Sequence, residues 1–146
     1  MYQKIVVGTD CSSTADRAVR KAADIAKLTG AKLYIVSAFS DSAATLAATA
    51  GGGSLIASDW PDVAIHDQTA RVEAYADRLR VEGIETEARV EKGTAAAMLV
   101  SVADQVQADL LVVGDRGLKG VRGLLGSVPN RVTHRAQMDV LVVHTT

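Results

Sequence analysis

Five short runs of β-branched and aliphatic residues recur along the chain: Ile5–Gly8, Lys32–Ala38, Ile84–Glu91, Asp109–Val113 and Val140–Val143. Between them lie segments whose apolar residues repeat at helical spacing. The first run, IVVG, and the fourth, DLLVV, are continuously apolar and read as strands buried on both faces. The third, IETEARVE, alternates apolar with charged residues and reads as a strand with one wet face, as at a sheet edge. Strands that alternate with helices specify a parallel sheet, with right-handed crossovers and helices on both faces. The expected fold is an α/β, open, five-stranded parallel sheet in the order β-α-β-α-β-α-β-α-β.

The intervening segments carry helix punctuation. Ser12 and Ser13, with Asp16 three residues after Ser13, read as a hydroxyl cap with a nearby carboxylate. Ala15, Ala18, Val19, Ala22 and Ala26 then share one helical face, which Thr29-Gly30 ends. A second helix is expected from about Pro61-Asp62, with Ile65, Val72, Ala76 and Leu79 on one face and Gly83 at its end. A third carries Met98, Leu99, Val102 and Val106 inward, and Leu125, Val128 and Val132 mark a short fourth. Aromatic residues make up only 3% of the chain, so Ala, Val, Leu and Ile must fill the core. The expectation is one domain over residues 1–146, with Ala/Ser/Gly-rich residues 40–60 a flexible insertion that serves as a connector or a lid. Trp60 beside Pro61 reads as an anchor at the foot of the second helix or as a ligand-stacking ring.

Bulk properties exclude several classes. A formal net charge of −1 gives no general case for a nucleic acid or membrane partner. No apolar stretch approaches the roughly 18–20 residues of a membrane span. The N-terminal MYQKIVVGTD lacks a signal-peptide layout, and the single cysteine, Cys11, forms no internal disulfide; both suit a cytoplasmic protein. Cys11 reads as a small half-buried side chain or as a thiolate at a helix start. His66, His134 and His144 have no metal-ligand spacing.

In an open parallel sheet, ligands bind beyond the carboxyl ends of the strands where strand order switches. Two segments sit at such ends: Gly8-Thr9-Asp10 after the first strand, and GDRGLKGVRGLLGSVPNRV, residues 114 to 132, after the fourth. If the two strands are neighbours, both segments border one crevice. Gly114 and Gly117 can take positive φ and free backbone N–H groups, so a Cβ at Gly114 is expected to crowd a phosphate. Gly126-Ser127 falls at a helix start, where unpaired N–H donors and the dipole favour an anion. Ser127 can cap that helix or donate to a phosphate, and Pro129 fits its first turn. Arg116, Lys119 and Arg122 add positive charge. The spacing matches neither GxxxxGK[ST] nor GxGxxG, and on composition alone a plain flexible loop fits equally well.

Taken together, IVVGTDCSSTADRAV, VEKGTAAAMLVSVADQVQADLLVVGDRG and GSVPNRVTHRAQMDVLVV resemble the universal stress protein family over essentially the whole chain. The closing segment looks similar to small single-domain actinobacterial members. The resemblance implies a Rossmann-like, adenine nucleotide alpha hydrolase-like sheet in the order 3-2-1-4-5. It also implies an adenine nucleotide ligand, ATP by default and cyclic AMP as the alternative. The family's nucleotide-binding pattern is G-x2-G-x9-G-[ST]. Gly114, Gly117 and Gly126-Ser127 match it, but only eight residues separate Gly117 from Gly126, which could shift the phosphate donors by a few ångströms. The shorter loop favours a ligand with one phosphate.

By the same resemblance, Gly8 and Thr9 line the base side, and Asp10 lies near the ribose or a phosphate-bound Mg²⁺. Ala38 offers backbone hydrogen bonds to adenine, Val113 packs beside the ligand, Arg116 reaches phosphate and Val128 follows the Gly-Ser pair. Val140, Leu141, Val142 and Val143 would pair with a second copy in a homodimer. The implied role is a nucleotide-dependent stress-response switch or reservoir. Slow ATP hydrolysis or autophosphorylation at Ser127 is the enzymatic alternative, and a family member that works through protein contacts alone is the other.

Overall fold

The computed structural model describes residues 1–39, 60–115 and 127–145, with the backbone alone for 60–62 and 127. Five strands, β1 (Lys4–Gly8), β2 (Lys32–Phe39), β3 (Thr86–Lys92), β4 (Leu110–Gly114) and β5 (Asp139–Val143), alternate with four helices. These are α1 (Ala15–Thr29), α2 (Trp60–Val81), α3 (Ala95–Val106) and α4 (Ser127–Arg135). All pairings are parallel, and the sheet order is β3-β2-β1-β4-β5. The expected insertion lies outside the described residues except for Trp60, which opens α2.

The two-residue period of a strand divides the core between the faces of the sheet. Ile5 and Val7 of β1, Leu33 and Ile35 of β2, and Leu110 and Val112 of β4 pack with Ala18, Val19, Ala22 and Ala26 of α1 and Val72 and Leu79 of α2. Val6, Tyr34, Val36, Leu111 and Val113 point the other way, onto Leu99, Val102 and Val106 of α3 and Val132 of α4. The central strands β1 and β4 are apolar at their buried positions because helices cover both faces of the sheet there. With alanines on the inner face of α1, that helix closes on the sheet where few aromatic side chains are available. Met98, expected inward, is only half-buried.

The ends of α1 show which local signals operate. Gly30 is left-handed at φ 73°, and its N–H donates to Ala26 O. At the start, Ser13 and Asp16 do not form the expected cap. Ser12 Oγ accepts from Ala15 N at 3.2 Å, Ser12 O accepts from Asp16 N at 3.2 Å, and Asp16 Oδ1 is buried without a hydrogen-bond partner among the described residues. Thr14 stands at the N-cap position with no side-chain cap bond, and Ser12, two residues earlier, supplies both acceptors. α3 ends on Gln107, left-handed at φ 57° with no glycine to relieve it.

β3 and β5 are the edges. On β3, Glu87 and Arg89 are half-buried, and their stems lie beside Tyr34 with Lys32. Among the described residues, no helix is long and apolar enough to cross a membrane.

Leu111 is fully buried and Leu28 is 85% exposed, so truncating them should differ sharply. Leu111→Ala is expected to lower the unfolding free energy in urea by about 2–5 kcal/mol with an unchanged m-value. Leu28→Ala should stay within about 0.5 kcal/mol of the parent.

Candidate functional site

β1 and β4 are hydrogen-bonded neighbours, with Val7 opposite Val112, so their carboxyl ends open onto one crevice. β2 leaves β1 on one side and β4 leaves it on the other, which makes this the switch point of the sheet. The cleft there is lined by Gly8, Thr9, Asp10, Val36, Ala38, Leu99, Val113, Gly114 and Thr145. Ala15, Ala95 and Val128 complete the lining. These last three stand in the first turns of α1, α3 and α4, so three helix N-termini converge on one apolar cleft.

The floor beside β1 is pinned by its own side chains. Thr9 N donates to Val36 O at 2.9 Å, and Thr9 Oγ1 accepts from Cys11 N at 3.0 Å. Asp10 Oδ1 accepts from Ser12 N at 2.9 Å. These bonds hold Cys11 in the left-handed region at φ 63°, a conformation that costs a side chain such as cysteine about 1–2 kcal/mol. Burial raises the Cys11 thiol; Arg71 opposes this, while Asp10, Asp16 and Asp67 reinforce it. That environment opposes the thiolate reading. Gly8 lacks a Cβ for a spatial reason: one would lie 2.8 Å from Leu99 Cδ1, so the glycine lets α3 close over the end of β1.

At the end of β2, Gln68 of α2 donates from Nε2 to the Ala38 carbonyl at 3.2 Å and to Ser37 Oγ. The Ala38 carbonyl therefore already has a donor. At the end of β4, Asp115 gathers the residues that follow β5. Its Oδ1 accepts from Thr145 N at 3.1 Å and Thr145 Oγ1 at 2.6 Å, and its Oδ2 lies 2.7 Å from His144 Nδ1. The Thr145 hydroxyl bond, supported by His144, outweighs desolvation and holds the Asp115 carboxyl down from its ordinary 3.8 to about 2.

Seven of the residues expected from the sequence meet at this cleft: Gly8, Thr9, Asp10, Ala38, Val113, Gly114 and Val128. Arg116, Gly117 and Gly126 lie outside the described residues, as do Lys119 and Arg122. Ser127 opens α4. One expectation needs correction: Gly114 has no positive φ, being the last residue of β4 and paired with Val143. A Cβ on it would first meet Thr145 Cγ2, at 2.9 Å. Among the described residues, no group of three or more His, Cys, Asp or Glu could hold a metal ion.

The sequence reading missed Ala15, Val36, Ala95, Leu99, Gln68, Asp115 and Thr145. Ala15 and Ala95 were findable as residues at helix starts, and Val36 as a residue at a strand end. Nothing local in HTT marks Thr145.

The sequence profile of the Universal stress protein family matches residues 1–144. A universal stress protein of Mycobacterium tuberculosis H37Rv is 39% identical over 150 residues, covering 99% of this chain and 98% of its own. Among solved structures, a universal stress protein in complex with cAMP is 39% identical, with a TM-score of 0.73 over 99% of this chain and 98% of that one. The universal stress protein from Archaeoglobus fulgidus in complex with dAMP is 27% identical, with a TM-score of 0.70 over 97% of each chain.

The Asp115 clasp sets an acid response. A carboxylate whose folded pKa lies below its unfolded value stabilises the fold fully above the unfolded pKa and ceases to do so as pH falls through the folded one. Wild-type stability should therefore decline between about pH 4 and about pH 2 in part through Asp115. In urea titrations across that window, Asp115→Asn should start less stable at pH 5, and its deficit should shrink as pH falls. A constant deficit would show that the carboxylate charge contributes nothing to the clasp.

Proposed function

We propose that this chain, which belongs to the universal stress protein family, binds an adenine nucleotide in the cleft at the carboxyl ends of β1 and β4. The observation that carries the reading is the meeting of three helix N-termini on a mainly apolar cleft. Val36, Ala38, Leu99 and Val113 offer a planar base an apolar slot. α1 offers a phosphate its dipole alone, since Ala15 N and Asp16 N already donate to Ser12. The starts of α3 and α4 add N–H donors, and each of the three dipoles is worth about 0.3–1 kcal/mol to an anion. Thr9 and Asp10 line the same cleft and offer a ribose its polar partners. Gly117, Gly126 and Arg116 belong to the proposed site by the spacing of their motif, and Ser127 by its place at the start of α4.

A single phosphate fits this arrangement best, and cyclic AMP is the favoured ligand. Two things support this: relatives that hold cAMP and dAMP, and a glycine segment one residue shorter than the triphosphate pattern. ATP with Mg²⁺ is the second reading. It rests on Asp10, whose carboxylate is the one acidic group among the described residues lining the cleft. The proposed role is binding, as a nucleotide-responsive switch or reservoir acting in one domain, rather than turnover.

β5 invites a partner. It is an edge strand, with Val140, Leu141 and Val142 half-buried and one side of its backbone unpaired in the sheet. An apolar edge of that kind fits a second copy of the chain. Sedimentation equilibrium should give a homodimer at micromolar concentration, and a monomer at about 100 μM would contradict it.

Calorimetric titration of nucleotide-stripped protein tests the ligand. Cyclic AMP should bind with a Kd of order 1–10 μM, and ATP with Mg²⁺ at least about fivefold more weakly. Tighter binding of ATP would make the second reading the correct one. No heat with any adenine nucleotide would remove the proposal.

A further inference from the structure

Gly114 ends β4 with no positive φ, so backbone conformation does not require a glycine there. Space does. A Cβ at this position would lie 2.9 Å from Thr145 Cγ2, well inside the ~3.5–4.0 Å at which carbon atoms pack.

Thr145 cannot easily retreat. Its N–H and hydroxyl both donate to Asp115 Oδ1, and His144 engages the other carboxylate oxygen. Asp115 N in turn donates to Val143 O at 2.8 Å, so the clasp closes on the backbone at both ends. Thr145 is 3% exposed and lines the cleft beside Gly114, Val113 and Val128. Among the described residues, Thr145 lines the cleft and Asp115 does not, so Asp115 acts on the cleft through Thr145.

We infer that Thr145, held in place by Asp115, is a wall of the nucleotide cleft, and that residue 114 is glycine to seat this wall; the inference rests on the nucleotide reading above. Asp115 is a positioning residue, and the first glycine of the phosphate-loop pattern is here a packing glycine. Thr145, after β5, thus shapes the site together with the strand ends.

The two explanations of Gly114 separate in a double-mutant experiment. Gly114→Ala should weaken cyclic AMP binding roughly tenfold and lower Tm by several degrees, as an overpacked contact does. Adding Thr145→Ser removes Cγ2 but keeps the oxygen that Asp115 holds. It should recover most of both losses. Adding Thr145→Val instead keeps a clashing methyl and loses the donor, so it should recover neither.

If wild-type protein binds cyclic AMP but the loss in Gly114→Ala is absent, or is not relieved by Thr145→Ser, the inference is overturned and the nucleotide reading stands. A lasting loss is what a Cβ blocking phosphate would produce. If wild type binds no adenine nucleotide, the nucleotide reading falls and the wall with it. Should Gly114→Ala fail to fold, a folded double variant supports the inference and an unfolded one overturns it.

Discussion

The parallel pairing of β1 with β4 is the constraint on which the rest depends. Once Val7 lies opposite Val112, the chain leaves β1 toward one flank of the sheet and β4 toward the other. The connections must part there, and the gap between them is the cleft. Right-handed crossovers then bring the starts of α1, α3 and α4 to the same end, because each helix follows a strand that points that way. An apolar slot with convergent positive dipole ends follows from topology before any particular side chain is considered. The side chains refine it: valines, a leucine and alanines for the base, and very few charged groups in the lining.

Two glycines on these strand ends illustrate how the cleft is shaped. Neither Gly8 nor Gly114 uses its conformational freedom. Each permits an approach, of Leu99 to β1 in one case and of Thr145 to β4 in the other. A left-handed position near the site falls instead on Cys11, where two hydrogen bonds of the same turn, Cys11 N to Thr9 Oγ1 and Ser12 N to Asp10 Oδ1, hold it. The left-handed backbone sits in the β1 turn, and tight packing sits at the ends of both β1 and β4.

Element order was legible from the sequence because its signals are local. β-branched runs bounded by glycine marked the strands, and alanines at helical spacing marked α1. The rule that ligands sit beyond strand ends pointed to Gly8, Thr9 and Asp10, whereas Ala38 and Val113 were named only through the family resemblance. What could not be read were features that depend on distant pairing. Ser12 rather than Ser13 accepts from the first N–H groups of α1, beyond a turn in which Thr9 and Asp10 bind Cys11 N and Ser12 N. Gln68 reaches Ala38 only because α2 packs beside β2. The register that sets Gly114 against Val143 brings Asp115 to His144 and Thr145, thirty positions away. Without that register, HTT is an ordinary polar tail.

The most direct test of the nucleotide cleft is to map the ligand on the protein by recording backbone amide ¹H–¹⁵N spectra during a cyclic AMP titration. The account predicts saturable shifts concentrated at Gly8, Thr9, Asp10, Ala38, Val113, Gly114, Val128 and Thr145, with Tyr2, Asp109 and Met138 at the opposite end of the sheet unmoved. Saturable shifts centred on that opposite end, or none at millimolar ligand, would contradict it.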